Sequence, residues 1–200
     1  MIKSWKELPV GVFKRLLDVE GEDFDAEIAT VAILAGTTPD DILDRPLQEV
    51  KQMVQEMRFL ERTPRVAKVR DEYRLGDTTY TFLKDYTDIT VNQYIDFVNT
   101  PKDLKHLSEH LSIFLIPKGK KYGQGYNLQK VAQDIDQYLM YEDANSLSAF
   151  FLRRWRRCTR LAETATRLAL RRAVRQKVVT KEEADATMRK VRRSLRALIG

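Results

Sequence analysis

Hydrophobic residues recur at helical spacing along most of the chain, and two stretches share one pattern. Four apolar side chains at i, i+3, i+7 and i+10 begin at Leu47, and an equivalent set begins 81 residues later at Leu128. Such spacing places each set on one face of an α-helix. The first set consists of Leu47, Val50, Val54 and Met57.

The same offset of 81 aligns a second pair of segments. Trp5–Phe13 reads WKELPVGVF and Tyr86–Tyr94 reads YTDITVNQY, so that aromatic, acidic and branched apolar residues coincide. An apolar stretch follows each segment, and we predict helices there over residues 26–34 and 107–116.

These matches predict a duplicated three-helix unit, with copies at residues 1–62 and 85–145 that pack as a pair, because one copy buries little apolar surface alone. Chance similarity between amphipathic helices is the alternative. Residues 63–84 alternate polar and apolar side chains around Gly76-Asp77, which predicts a β-hairpin connector.

The last quarter of the chain has the spacing of two long helices. Apolar residues step by four and three from Phe151 to Ala165, and again from Ala184 to Leu198. We predict a basic αα-hairpin over residues 146–200, with its turn near Val179. The predicted fold class is therefore mainly α (α+β).

Charge separates this segment from the rest of the chain. Residues 153–200 carry 16 basic and 4 acidic side chains, a net charge of +12, whereas residues 1–152 carry 19 basic and 25 acidic side chains, a net of −6. Such asymmetry indicates an acidic partner, nucleic acid, or docking on the chain's own acidic part.

Composition limits the chemistry. Cys158 is the single cysteine, which excludes an intrachain disulfide and a multi-cysteine zinc site. No apolar run approaches the roughly 20 residues of a membrane span, and the first residues lack an apolar signal core. No arrangement typical of nucleophilic or paired-carboxylate catalysis stands out, so we expect no enzyme and no cofactor.

Two short motifs have alternative interpretations. His106-Leu-Ser-Glu-His110 matches the H-x-x-E-H pattern of inverted zinc peptidases, but a polar helix edge without catalytic metal is the favoured interpretation. The segment Pro117–Tyr126 is rich in glycine and lysine. Its Lys118, Lys120 and Lys121 could contact phosphate or an acidic partner, although an ordered loop with glycines at positive φ is favoured.

Arginines dominate the C-terminal segment. They could bind a nucleic-acid backbone, hold an acidic protein surface, or form a solvated helix face, and the charge alone does not choose. The candidate contacts are Arg153, Arg154, Arg156, Arg157, Arg160, Arg171, Arg172, Arg189, Arg192 and Arg193.

Five motifs follow one another over most of residues 4–155, namely SWKELPVG, YRLGDTTYTF, DITVNQYIDF, LIPKGKKYGQGYN and SAFFLRRW. In this order of elements, which excludes the arginine-rich hairpin, the chain resembles phage tail assembly chaperones, small phage morphogenesis proteins encoded near tail genes. This resemblance implies a mainly helical, non-catalytic protein that binds phage structural or assembly proteins, in the host cytoplasm or the virion.

Leu47, Val50, Val54, Met57 and Trp155 would carry that binding where they are exposed, and oligomerisation is left open. The alternative function is a nucleic-acid-binding structural protein that uses the arginine-rich C-terminal helices.

Overall fold

Helices make up most of the described chain, which confirms the mainly helical prediction. A computed structural model describes residues 1–21, 23–85, 88–175 and 179–197, with the side chains at 155–163, 165, 169, 172, 173, 175 and 194–197 outside that description. The α-helices are α1 (Val10–Leu16), α2 (Phe24–Ala35), α3 (Pro39–Leu43), α4 (Leu47–Glu56), α5 (Val91–Asn99), α6 (Leu107–Ser112), α7 (Leu128–Tyr138), α8 (Tyr141–Arg175) and α9 (Lys181–Ala197). Short 3₁₀ turns span Met57–Glu61 and Leu104–His106, and the strands are β1 (Glu72–Leu75), β2 (Thr78–Phe82) and β3 (Leu115–Pro117).

The chain divides into two compact units, Met1–Ser148 and Ala149–Gly200. Helix α8 begins in the first unit and ends in the second. The finer division of the first unit into two copies and a connector stays a prediction.

Polar side chains fix where several helices begin. The Thr38 hydroxyl accepts a hydrogen bond from the Asp41 N–H while the Asp41 carboxylate accepts one from the Thr38 N–H. Thr90 and Gln93 form the same reciprocal pair at α5, and Thr180 with Glu183 does so at α9. Each pair satisfies N–H groups that have no partner inside the helix. Capping boxes therefore mark the starts of α3, α5 and α9.

A three-stranded antiparallel sheet replaces the simple hairpin. Strands β1 and β2 pair from Glu72↔Thr81 to Leu75↔Thr78, as the alternation predicts. Strand β3 adds to the other edge of β2 with Phe82 opposite Leu115. The prediction of one helix over residues 107–116 is wrong at its end, because α6 stops at Ser112 and β3 follows. Pairing with β2 satisfies the backbone there and buries Leu115 completely.

The core of the first unit holds its N-terminal and C-terminal parts together. Helices α2, α3 and α4 share a buried cluster made of Ile28, Val31, Ala32, Ile42, Val50 and Met53. The segment before α1 pairs with the segment before α8 through a bridge between Pro9 and Met140. The Val10 N–H donates to the Leu139 carbonyl at 3.0 Å, and the Phe13 ring stacks on Tyr141 at 3.7 Å.

Helix starts follow the 81-residue offset, although the segments between them differ. Helices α1 and α5 begin at Val10 and Val91, and α4 and α7 begin at Leu47 and Leu128. Where the first half has the 12-residue α2, the second has a 3₁₀ turn, the six-residue α6 and β3. The residue aligned with Trp5, Tyr86, lies outside the described residues. Duplication stays a prediction.

Candidate binding surfaces

The predicted binding face of α4 packs mostly into the core. Val50 is 6% exposed, and Val54 and Met57 are partly buried against the cluster of α2 and α3. Leu47, at the start of the helix, is 64% exposed. This face was predicted to bind a partner where its residues are exposed. Leu47 is exposed, but Val50 is not, because α2 covers the face one turn into the helix.

Helix α5 exposes an apolar stripe that sequence analysis did not single out. Val91, Ile95 and Val98 are 73%, 46% and 37% exposed and lie at i, i+4 and i+7, so that they share one side of the helix. We call these three residues the α5 stripe. The composition of α5 could have indicated this stripe, because the helix has apolar residues on both sides and can bury only one of these sides.

The opposite side of α5 is anchored, which fixes the stripe outward. The Gln93 side chain is 1% exposed, and its Nε2 donates to the Ile113 carbonyl at 2.9 Å. The Phe97 ring meets Phe114 edge-on, with ring centres 5.8 Å apart. Rotation of α5 to bury the stripe would expose Phe97 and break a buried hydrogen bond.

Both histidines of the H-x-x-E-H motif have neighbours within the fold. Nδ1 of His106 lies 2.7 Å from the Asp103 carboxylate, and Nε2 of His110 lies 2.7 Å from the Pro101 carbonyl. A carbonyl only accepts, so that nitrogen of His110 carries a proton and donates. Burial lowers the pKa of His110. In the described part of the chain, no three His, Cys, Asp or Glu side chains stand close enough to share a metal ion.

A polar cleft of about 630 Å³ lies among α5, α6 and α7. It is lined in part by the acidic residues Asp96, Glu109 and Asp136. Lys14 Nζ lies 3.2 Å from the Asp136 carboxylate and 3.6 Å from that of Glu109. Asp96 accepts a 2.6 Å hydrogen bond from the Tyr122 hydroxyl. These contacts join separate elements of the first unit, which is a structural role.

The glycine-rich loop before α7 is ordered by its own contacts. Gly119, Gly123 and Gly125 have φ of 79°, 70° and 70°, a region that favours glycine, as predicted for the glycines of this loop. Burial and the hydrogen bond to Asp96 raise the pKa of Tyr122. Of the candidate lysines, Lys118 pairs with Glu72 at 2.8 Å, while Lys120 and Lys121 are exposed.

Several arginines of the second unit lie on its surface. Arg153 is exposed and donates to the Ala149 carbonyl, and the Arg154 guanidinium lies 5.6 Å from the centre of the Phe150 ring. Also exposed are Arg171, Arg189, Arg192 and Arg193. The predicted contacts at Trp155, Arg156, Arg157, Arg160 and Arg172 fall on side chains outside the described residues.

Residues of α8 and α9 line a cleft of about 760 Å³, which we call the basic cleft. Its basic lining residues are Arg167, Arg171, Lys181, Arg189 and Arg192. Its apolar lining residues are Leu170, Val174, Ala184 and Met188. Asp185 is the acidic residue among those that line it. The cleft therefore combines an apolar surface with strong positive charge.

Comparison with known proteins does not identify a function for these surfaces. The chain matches no family model, no curated protein and no solved structure. Among the described residues, each helix is too short or too polar to cross a membrane.

Proposed function

We propose that this protein is a non-catalytic assembly protein that binds other proteins, the role that the resemblance to phage tail assembly chaperones implies. The observation that carries the proposal is the exposed α5 stripe. Exposed valine and isoleucine side chains grouped on one helix face are typical of protein interaction sites. The partner class is a phage structural or assembly protein.

Helix α1 supports the proposal, because apolar residues at two positions aligned with α5 are covered by another segment. The offset of 81 aligns Val10 of α1 with Val91 of α5, and Phe13 with Tyr94. Val10 is completely buried and Phe13 is 8% exposed, whereas Val91 is 73% exposed. Leu139 and Met140 pair with the residues at the start of α1, and the Tyr141 ring stacks on Phe13, so that this segment covers part of the face.

By this comparison, the partner of α5 is an extended apolar segment that carries an aromatic side chain. Full burial of one valine or isoleucine side chain contributes roughly 1.5–3 kcal/mol. Three side chains that are already partly buried supply enough to anchor a segment, while backbone hydrogen bonds like those at Val10 would set its register. We also propose that the first unit contains two copies of a three-helix unit and that α8 and α9 pair as an αα-hairpin.

Co-expression with each product of the neighbouring genes tests the proposal. We expect one of these proteins, encoded beside tail genes, to co-purify with the wild-type chain. Ile95→Lys should abolish co-purification, because a charge would be placed in an apolar contact. Leu43→Lys is the matched control, since Leu43 is 57% exposed at the end of α3, away from the stripe.

Two outcomes contradict the proposal. In one, none of the neighbouring products co-purifies with the wild-type chain. In the other, Ile95→Lys and Leu43→Lys lower the yield of the complex equally, which would place the contact elsewhere. Circular dichroism of both variants shows whether each keeps the helical content of the wild type.

A further inference from the structure

We propose that the basic cleft binds an acidic amphipathic helix of a partner protein. This site is separate from the α5 stripe and adds a second interaction surface of defined chemistry. It uses the pairing of α8 and α9 proposed above.

One face of α8 and one face of α9 form the walls of the cleft, and each face carries both apolar and basic residues. On α8 the lining residues stand at 167, 170, 171 and 174, and on α9 at 181, 184, 185, 188, 189 and 192. Neighbours three and four apart share a face, so Leu170 lies beside Arg167 and Val174 beside Arg171 on α8, and Met188 lies beside Arg192 on α9. Leu170, Val174 and Met188 are partly exposed, and the five cationic lining residues are exposed.

This arrangement discriminates between kinds of partner. Binding of a phosphate backbone needs cations, but it gains nothing from the exposed leucine and methionine side chains that line the cleft. A helix with apolar residues on one side and carboxylates along its edges satisfies both features at once. The net charge of +12 on residues 153–200 favours an acidic occupant.

The length of the cleft sets the size of the occupant. Lys181 and Arg192 mark its extent along α9. These 12 residues of helix span about 17 Å at about 1.5 Å per residue. A partner helix of about three to four turns fills the site, with two or three apolar residues inside and carboxylates facing Arg171 and Arg189.

The test uses the full chain and a labelled synthetic helix of about 18 residues, with leucines at i, i+3, i+4 and i+7 flanked by glutamates. A permuted peptide of equal composition has its leucines spread around the helix. Fluorescence anisotropy at about 150 mM salt, where long-range attraction is screened, gives both affinities. We expect the patterned peptide to bind at least about tenfold more tightly than the permuted peptide.

Paired arginine variants locate the site. Arg171→Gln with Arg189→Gln should weaken binding of the patterned peptide by about tenfold, the loss of two carboxylate contacts. Arg153→Gln with Arg193→Gln removes the same charge from exposed arginines that do not line the cleft, and should change the affinity by less than about twofold. Arg171→Glu with Arg189→Glu should instead prefer a lysine-flanked peptide, a gain that loss of folding cannot produce.

Three results would overturn the inference. Equal losses in the two glutamine pairs would indicate diffuse charge attraction. Equal affinity for patterned and permuted peptides would show that the apolar lining residues of the cleft do not contribute to binding. Tighter binding of duplex DNA than of the patterned peptide would assign the cleft to nucleic acid. Ile95→Lys should leave peptide binding unchanged, so this test and that of the α5 stripe fail independently.

Discussion

The phenol of Tyr80 donates a 2.6 Å hydrogen bond to Oδ2 of Asp134, and both side chains are buried. The other carboxylate oxygen of Asp134 accepts from Lys130 at 2.8 Å. Burial, followed by the bond to Asp134, raises the pKa of Tyr80 and keeps its phenol protonated as the donor. This bond joins strand β2 to helix α7 inside the first unit.

Tyr80→Phe should therefore lower the free energy of unfolding by about 1–3 kcal/mol, since the buried carboxylate of Asp134 loses a donor. Tyr138→Phe is the control, because Tyr138 is 42% exposed, and its change should stay within about 0.5 kcal/mol. Urea unfolding followed by circular dichroism measures both. Equal values for the two variants would contradict a structural role for the Tyr80 bond.

Gly76 should tolerate alanine less well than Gly119. Both glycines have positive φ, so alanine should cost about 1 kcal/mol of backbone strain at either position. A β-carbon at Gly76 would lie 2.9 Å from Cε2 of Tyr138, whereas nothing lies within 4 Å at Gly119. We expect Gly76→Ala to lower the unfolding free energy by about 1 kcal/mol more than Gly119→Ala. Tyr138→Ala in the same chain should recover that excess in thermal or urea unfolding.

Val50 and Leu47 lie on one face of α4, but only Val50 is buried, so alanine should destabilise the fold more at Val50 than at Leu47. Val50→Ala removes buried methyl groups from the core and should cost about 1–3 kcal/mol of unfolding free energy. Leu47→Ala, at the exposed start of the same helix, should stay within about 0.5 kcal/mol. A destabilised Leu47→Ala in chemical unfolding would mean that Leu47 is packed in solution.

The carboxyl group of Asp41 should titrate well below its ordinary range. Hydrogen bonds from the hydroxyls of Thr37 and Thr38 lower the pKa of Asp41 from 3.8 to about 2. A lowered pKa in the folded state stabilises the fold above pH 3.8, and that contribution is lost as the pH falls toward 2. A ¹³C NMR titration of the carboxyl carbon measures this pKa.

Thr37→Val removes the largest cause and should raise the pKa of Asp41 toward 3.8. Thr63→Val, at an exposed threonine in another loop, should leave it unchanged. An unaltered Asp41 titration in Thr37→Val would show that the hydroxyl does not hold the carboxylate in solution.

The purified protein should carry less than stoichiometric zinc, with no change in His106→Ala. The physical reason is that His110 donates to Pro101 through Nε2 and that His106 contacts Asp103 through Nδ1. Elemental analysis after dialysis measures the metal content. One zinc per chain, lost on changing His106, would restore the metallopeptidase interpretation.

Local signals predicted local structure well. A threonine followed three residues later by a side chain that can accept a hydrogen bond marks a helix start, and Thr90 and Thr180 behave in this way. Alternation around Gly76 predicted β1 and β2, since turn and strand preferences agreed there. These features depend on residues within a few positions of each other.

Features that depend on distant residues were missed or left open. Strand β3 forms because β2 offers a free edge, and nothing within Leu115–Pro117 records that edge. Val50 and Ile95 both lie on apolar helix faces, yet α2 covers one and solvent meets the other. Periodicity shows that a face is apolar but not what lies against it.

The bridge between Pro9 and Met140 has a consequence for the order of synthesis. Residues 139–141 lie against the start of α1, so during synthesis the first helix of this unit waits for the last part of the unit. Contacts between residues so far apart form late and slowly. Until then Val10 and Phe13 remain exposed on the nascent chain, open to premature association. A pause in translation before residue 139 would prolong that interval and lower the yield of folded protein.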